Sequence, residues 1–253
     1  MTFGEDFGWG ASVADSETMI AAYLDDPKFH GVFQSMGFLL LVRARHALSI
    51  LRISAQSRDR AQRAAGDSLS ELIAYARANP GKLVCGSQGA GNTPHLTANM
   101  FMTMTGTSMV HVPYRGETLV YNDMLGERVD VFFGNISGAF ALYQDGKLKV
   151  LAVTDKARAA AMPDVPTSAE VGLPDLLSGV WYAMVGPPKL KLDLQDQIAK
   201  ATIEVLKMPD VQQRFRALHV EPDGSTPAET VAFIKEEVRR WGEVIRANNI
   251  TAE

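Results

Sequence analysis

From Asp67 onward the chain repeats one cycle: a short apolar run, a turn rich in glycine or asparagine, and a segment with helical spacing. Ser68-Leu69-Ser70-Glu71 fits a capping box, in which the serine caps the helix and the glutamate reaches back. Leu69, Leu72, Ile73 and Ala76 share one helical face, and Asn79-Pro80-Gly81 forms a turn. A short strand over Lys82 to Gly86 runs into the glycine-rich loop Gly86 to Asn92, and Thr93-Pro94 supplies an N-cap with proline at the first helical position. The cycle continues with strand Met109 to Pro113, helix Glu117 to Leu125, strand Val129 to Phe133, helix Ile136 to Gln144 and strand Leu148 to Val153. Alternation of this kind predicts an α/β lobe of parallel strands joined by right-handed crossovers. Strands that are almost wholly apolar predict helices on both faces of the sheet.

After this lobe, Pro163, Pro166 and Pro174 punctuate a loop in which Thr167 to Glu170 repeats the capping pattern, predicting a brief helix over Thr167 to Gly172. Trp181 to Val185 reads as a strand leaving the lobe. Helices follow over Asp193 to Lys207 and Pro209 to Leu218, then a long one begins at Thr226-Pro227 with Val231, Ile234, Val238, Trp241 and Ile245 as its packing stripe. Upstream, Arg43, Arg45, Arg52, Arg58, Arg60 and Arg63 face only Asp59 in opposition. Three readings of that stretch stand: a basic arm, a solvated helix face, or a segment foreign to the fold that follows. The expected organisation is an atypical segment at 1–66, an α/β ligand-binding lobe at 67–180, and a helical part at 181–253.

Charge and composition remove several function classes. A net charge of -4 and a pI near 5.8 argue against a nucleic-acid binder. One cysteine, Cys85, makes no internal disulfide and reads as a small buried hydrophobe, and the 5 histidines show no metal-ligand spacing. Neither cofactor nor metal is expected. The apolar run Gly37 to Val42 is far shorter than the roughly 20 residues of a membrane span, and Met-Thr-Phe-Gly-Glu-Asp lacks the basic and apolar regions of a secretory signal.

In an open parallel sheet, ligands collect beyond the carboxyl ends of the strands, where loops enter helix N-termini. Ser87 to Thr93, Tyr114 to Glu117 and Gly134 to Ser137 are such loops, and each would offer backbone N–H groups and a positive dipole end to an anion. Gly89 and Gly91 would let the backbone approach a ligand, with Ser87, Asn92 and Thr93 adding short polar groups. The loop matches neither G-x-G-x-x-G nor a phosphate loop, so a turn that merely needs positive φ is an equal reading. Arg115 could grip a carboxylate or be solvated. His95 and His111 read as hydrogen-bonded structural residues without a serine and acid beside them, Asp130 as a partner for neighbouring donors, and Asn135 as a cap or a cleft residue.

The run Asn79-Pro80-Gly81-Lys82-Leu83, then Gly86-Ser87-Gln88-Gly89-Ala90-Gly91-Asn92-Thr93-Pro94-His95-Leu96 and His111-Val112-Pro113-Tyr114-Arg115-Gly116, resembles the extracytoplasmic receptors of tripartite tricarboxylate transporters, the Bug family. Gly126-Glu127-Arg128-Val129-Asp130-Val131-Phe132, Pro163-Asp164-Val165-Pro166-Thr167, Glu170-Val171-Gly172-Leu173-Pro174 and Gly224-Ser225-Thr226-Pro227 continue the likeness in order. The resemblance implies a type II periplasmic-binding-protein architecture with two parallel-rich α/β lobes. Such a protein is periplasmic; it binds a small carboxylate or dicarboxylate, hands it to membrane permease subunits, and catalyses nothing. It implies ligand contacts at Ser87, Gly89, Gly91, Asn92, Thr93, Tyr114, Gly116 and Asn135.

Family members open with a Pro-Gly-Gly-containing loop that 1–66 does not match, so the first lobe is expected to be incomplete and this segment to be a misread or truncated start. Micromolar affinity needs about 8 kcal/mol, and charge-assisted hydrogen bonds net about 1.5–3 kcal/mol each. One lobe is therefore expected to bind weakly or not at all. The rival readings are an α/β enzyme using the same helix N-termini as an oxyanion site, and a product without binding function.

Overall fold

The computed structural model describes residues 39–40, 42–53, 67–186 and 190–250. The elements, in chain order, are β1 (Leu39–Leu40), β2 (Val42–Ile53), α1 (Leu69–Ala78), β3 (Val84–Ser87), α2 (Thr93–Thr105), β4 (Val110–Pro113), α3 (Glu117–Leu125), β5 (Val131–Asn135), α4 (Ile136–Gln144) and β6 (Leu148–Val153). There follow β7 (Gly179–Val180), β8 (Met184–Val185), α5 (Leu192–Leu206), α6 (Pro209–Ala217), β9 (Glu221–Gly224) and α7 (Pro227–Ala247). Two compact units divide the chain, with boundaries between Arg45 and His46 and between Val180 and Trp181.

In the unit His46–Val180 the strands run in the order β4-β3-β5-β2-β6. β3 pairs in parallel with β4 on one side and with β5 on the other, as the alternating pattern predicts. β2 departs from it. This strand lies antiparallel between β5 and β6, with Ile50 opposite Phe133 on one side and Ala152 on the other, and Ile50 is fully buried. The sheet is thus mixed, and the part of the arginine-rich stretch within β2 is a strand, not a helix face. Periodicity within 67–180 could not reveal this, because the inserted strand comes from before the repeating cycle; Arg58, Arg60 and Arg63 lie outside the described residues.

Adjacent residues of a strand point to opposite faces, and β5 shows helices on both. Phe132 packs edge-on against Tyr121 of α3, whereas Phe133 meets Phe101 of α2, each at 5.5 Å between ring centroids. The α3 and α4 face carries a cluster of Val120, Met124, Val129, Ile136, Leu148 and Val153. Gly86, in the centre of β3, is closed in by it: a Cβ there would lie 2.6 Å from Val120 Cγ1 and 3.2 Å from Val129 Cγ1. Cys85 is buried, and burial pushes its thiol up to about 12. Asp130 accepts a 2.8 Å bond from the Val84 amide, joining the start of β3 to the approach to β5.

Capping chemistry fixes several helix starts. α1 begins at the capping box of Ser68 and Glu71, and α7 at that of Thr226 and Glu229. For α2 the cap is Asn92, not Thr93: its Oδ1 accepts from the His95 amide at 3.1 Å, which makes Thr93 the first helical residue and Pro94 the second. Thr167 and Glu170 make their reciprocal bonds without a helix following, since Arg158 holds Glu170 from outside and the chain turns into Pro174.

In the other unit, β1 pairs antiparallel with β8, and β9 with residues Val42–Arg45 of β2. The expected strand Trp181 to Val185 is reduced to Met184–Val185, with β7 ending at Val180. Trp181 meets Phe233 edge-on, and Ile234 packs with Val238. On α7 the buried residues are Thr230, Ile234 and Trp241, with Val238 packed against Ile234 as expected; Val231 is 38% exposed and falls outside the stripe. Gly86→Ala is expected to lower stability by about 1–3 kcal/mol through overpacking, read as a reduced urea midpoint at unchanged slope.

Candidate ligand-binding site

Parallel pairing of three neighbouring strands decides where their loops lie. Ser87 at the end of β3 is in register with Pro113 at the end of β4, and Gly86 with Phe132 of β5. The loops after β3, β4 and β5 therefore leave the same edge of the sheet, and each leads into a helix: α2, α3 and α4. This brings together the loops carrying Ser87, Gly89, Gly91, Asn92 and Thr93, Tyr114 and Gly116, and Asn135.

Their individual environments differ. Gly89 and Gly91 have φ of 139° and 77°, where side chains are disfavoured. Gly116 is extended and has open space around it, so its backbone conformation does not itself require glycine. Ser87 is fully buried, and the Tyr114 hydroxyl donates to Asp123 at 2.8 Å, turned toward its own helix. Arg115 is exposed. At Gly116 and Asn135, the N-caps of α3 and α4, no side chain among the described residues caps the first-turn amides. Uncapped N–H groups at two adjacent helix heads are the strongest anion-seeking feature here.

Beneath the glycine loop, the His95 and His111 rings stack at 3.8 Å between centroids with 13° between planes. Ser87 Oγ lies 2.7 Å from His111 Nε2. The sequence reading missed this serine, although the register contains the signal: His111 stands opposite Cys85, two residues before Ser87, on adjacent parallel strands. The proton positions follow from the remaining partners. With the Ser87 hydroxyl directed to the Gly89 carbonyl at 2.8 Å, the Nε2–H tautomer of His111 is the one that donates toward Oγ. His95 Nδ1 accepts from the Gly91 amide at 2.9 Å. Both imidazoles are neutral loop supports. Burial lowers the pKa of each, and that of His111, next to His95, falls to about 4.

Glu117, the first residue of α3, is also absent from the sequence-derived set. Its Oε2 accepts from Gln88 Nε2 at 2.9 Å and from Asn135 Nδ2 at 3.3 Å, so one carboxylate joins all three loops. Burial raises its pKa despite these two donors. Asn135 Oδ1 is enclosed without a hydrogen-bond partner among the described residues. Among those residues no group of acids, histidines and cysteines could hold a metal ion, and no helix is long and apolar enough to cross a membrane.

Residues 59–250 match the TctC model, described as the tripartite tricarboxylate transporter family receptor. The chain belongs to this family. It is 32% identical over 184 residues to the protein BugT of Bordetella pertussis, covering 71% of this chain and 55% of BugT. The chain thus spans about half the length of the curated relatives it matches. Among solved structures it is similar to R. palustris Rpa4515 with adipate, at 26% identity and a TM-score of 0.70 over 85% of this chain and 70% of that one. The periplasmic binding protein BugD shares the fold, with a TM-score of 0.68 at 24% identity, 84% of this chain and 70% of BugD being covered. The architecture is therefore that of the periplasmic binding proteins, and the family match begins at residue 59.

The histidines give a pH test. Because the folded pKa of His111 lies below its ordinary 6.5, the unfolded chain takes up a proton between 6.5 and about 4 that the native state refuses. Its contribution is intact above that window and is lost as pH falls through it. Urea denaturation across this range should show a stability loss that His111→Gln makes shallower.

Proposed function

We propose that this chain is the solute receptor of a tripartite tricarboxylate-type transporter, binding a small carboxylate or dicarboxylate in the periplasm and delivering it to permease subunits in the membrane. The observation that carries this reading is the convergence of the α2, α3 and α4 N-termini on one sheet edge, with the heads of α3 and α4 lacking side-chain caps. Such heads supply oriented N–H donors and a positive potential to a guest carboxylate. Ser87, Gly89, Gly91, Asn92, Thr93, Tyr114, Gly116 and Asn135 form the proposed wall, the glycines and helix heads through backbone, and Ser87 and Asn92 by fixing the loop. Family membership and the adipate-bound relative support the ligand class.

The rival enzyme reading meets a specific obstacle. A serine nucleophile must reach its substrate, yet the Ser87 side chain is fully buried and its hydroxyl bonds the Gly89 carbonyl of its own loop. The receptor reading accordingly involves no reaction. Titrating the chain with adipate while following backbone amide resonances tests it. Saturable shifts concentrated at 89–93, 115–118 and 136–138, with adipate recovered unchanged, are expected; shifts confined to other surfaces, or turnover, would refute it.

A further inference from the structure

Three hydroxyls are buried where α2 meets the chain just beyond β6 and just before β7: Thr97, Thr154 and Ser178 are each at most 5% exposed. Thr97 stands one turn into α2 after Thr93, and its Oγ1 lies 2.7 Å from the Thr93 carbonyl and 2.6 Å from Ser178 Oγ. With the Thr97 proton directed to that carbonyl, Ser178 is the donor toward Thr97. Ser178 is held at its other polar groups too. Its amide donates to the Thr154 carbonyl at 2.9 Å, and its carbonyl accepts from Thr154 Oγ1 at 2.7 Å. The next two residues, Gly179 and Val180, form β7 and pair with Ala47 and His46 of β2, where both strands reach the boundary of the unit. A hydrogen-bonded path thus runs from Thr93, the first residue of α2 and part of the proposed wall, to the base of that two-stranded ribbon.

We infer that Thr97 is a positioning residue: through Ser178 it makes the order of Gly179 and Val180 depend on what occupies the Asn92–Thr93 head of α2. This rests on the receptor reading above and extends it from the loops to the strands at the unit boundary. The physical reason is the cost of separation. Among the described residues Thr97 is the one partner of Ser178 Oγ, so a shift of either group away from the other would strand a hydroxyl in a buried setting. A satisfied buried network of this kind moves as one piece, and a single helical turn carries the position of Thr93 to Thr97. A ligand that restrains the head of α2 thereby restrains the ribbon against local opening.

The test follows amide hydrogen exchange by NMR on the full chain, without adipate and at adipate saturation, as wild type, Thr97→Val, Thr97→Ser and Ser178→Ala. Saturation is read from the resonances of 89–93. Valine keeps the shape of threonine without its hydroxyl, serine keeps the hydroxyl, and alanine removes the same bond from its other end. In wild type and Thr97→Ser, adipate is expected to slow exchange at Gly179 and Val180 by about fivefold or more; in Thr97→Val and Ser178→Ala the slowing should fall below about twofold. A hydroxyl pair that only fills the core would lower the stability of these two variants and leave the adipate-dependent slowing in place. Adipate shifts at 89–93 without slowing at Gly179 and Val180 in wild type, or slowing that persists in either variant, overturns the inference and leaves the receptor reading standing. Absence of adipate shifts in wild type overturns both.

Discussion

Parallel pairing of β3 with β4 and β5 is the constraint on which the site depends. Each parallel pair must be joined by a crossover, and each crossover here is a helix that starts at the same edge of the sheet. The three helix heads are therefore gathered by topology before any side chain is considered. Register then sets which residues meet: a one-residue slip of β4 would turn His111 to the opposite face from Ser87. Gly86, pressed between Val120 and Val129, shows how tightly the central strand is held against α3.

The polar groups beneath the loops have a division of labour that follows from their burial. Ser87, His111, His95 and Gly91 form connected hydrogen bonds and a ring stack that shape the glycine loop from below, and burial, which lowers both imidazole pKa values, favours neutral rings. Glu117 stands apart. It is the one carboxylate that Gln88 and Asn135 both address, and burial works against its charge while those amides favour it.

Elements of both units were legible along the chain. Capping boxes placed α1 and α7, and the glycine and asparagine turns placed α3 and α4, because each of these signals is local; Asp130, expected to serve neighbouring backbone or side-chain donors, takes the Val84 amide. Asn92 displaced Thr93 as the cap because both side chains are suited to that role and only backbone geometry selects between them. Thr167 to Gly172 kept its capping bonds yet formed turns, since the bonds satisfy the backbone without requiring a helix to continue. Val231 lost its place in the α7 stripe to Thr230, whose hydroxyl finds Ser225 at 3.0 Å.

By itself the sequence determined the alternation of strands and helices from α1 to β6, the α/β class and the identity of the loops at the strand ends, because hydrophobic period, glycine and capping residues act over a few neighbours. Tertiary structure alone decided that β2 enters antiparallel between β5 and β6, that Ser87 faces His111, and that Glu117 reaches Gln88 and Asn135. These are contacts between residues distant along the chain, fixed by strand register and helix docking, and no local pattern of amino acids encodes them one at a time.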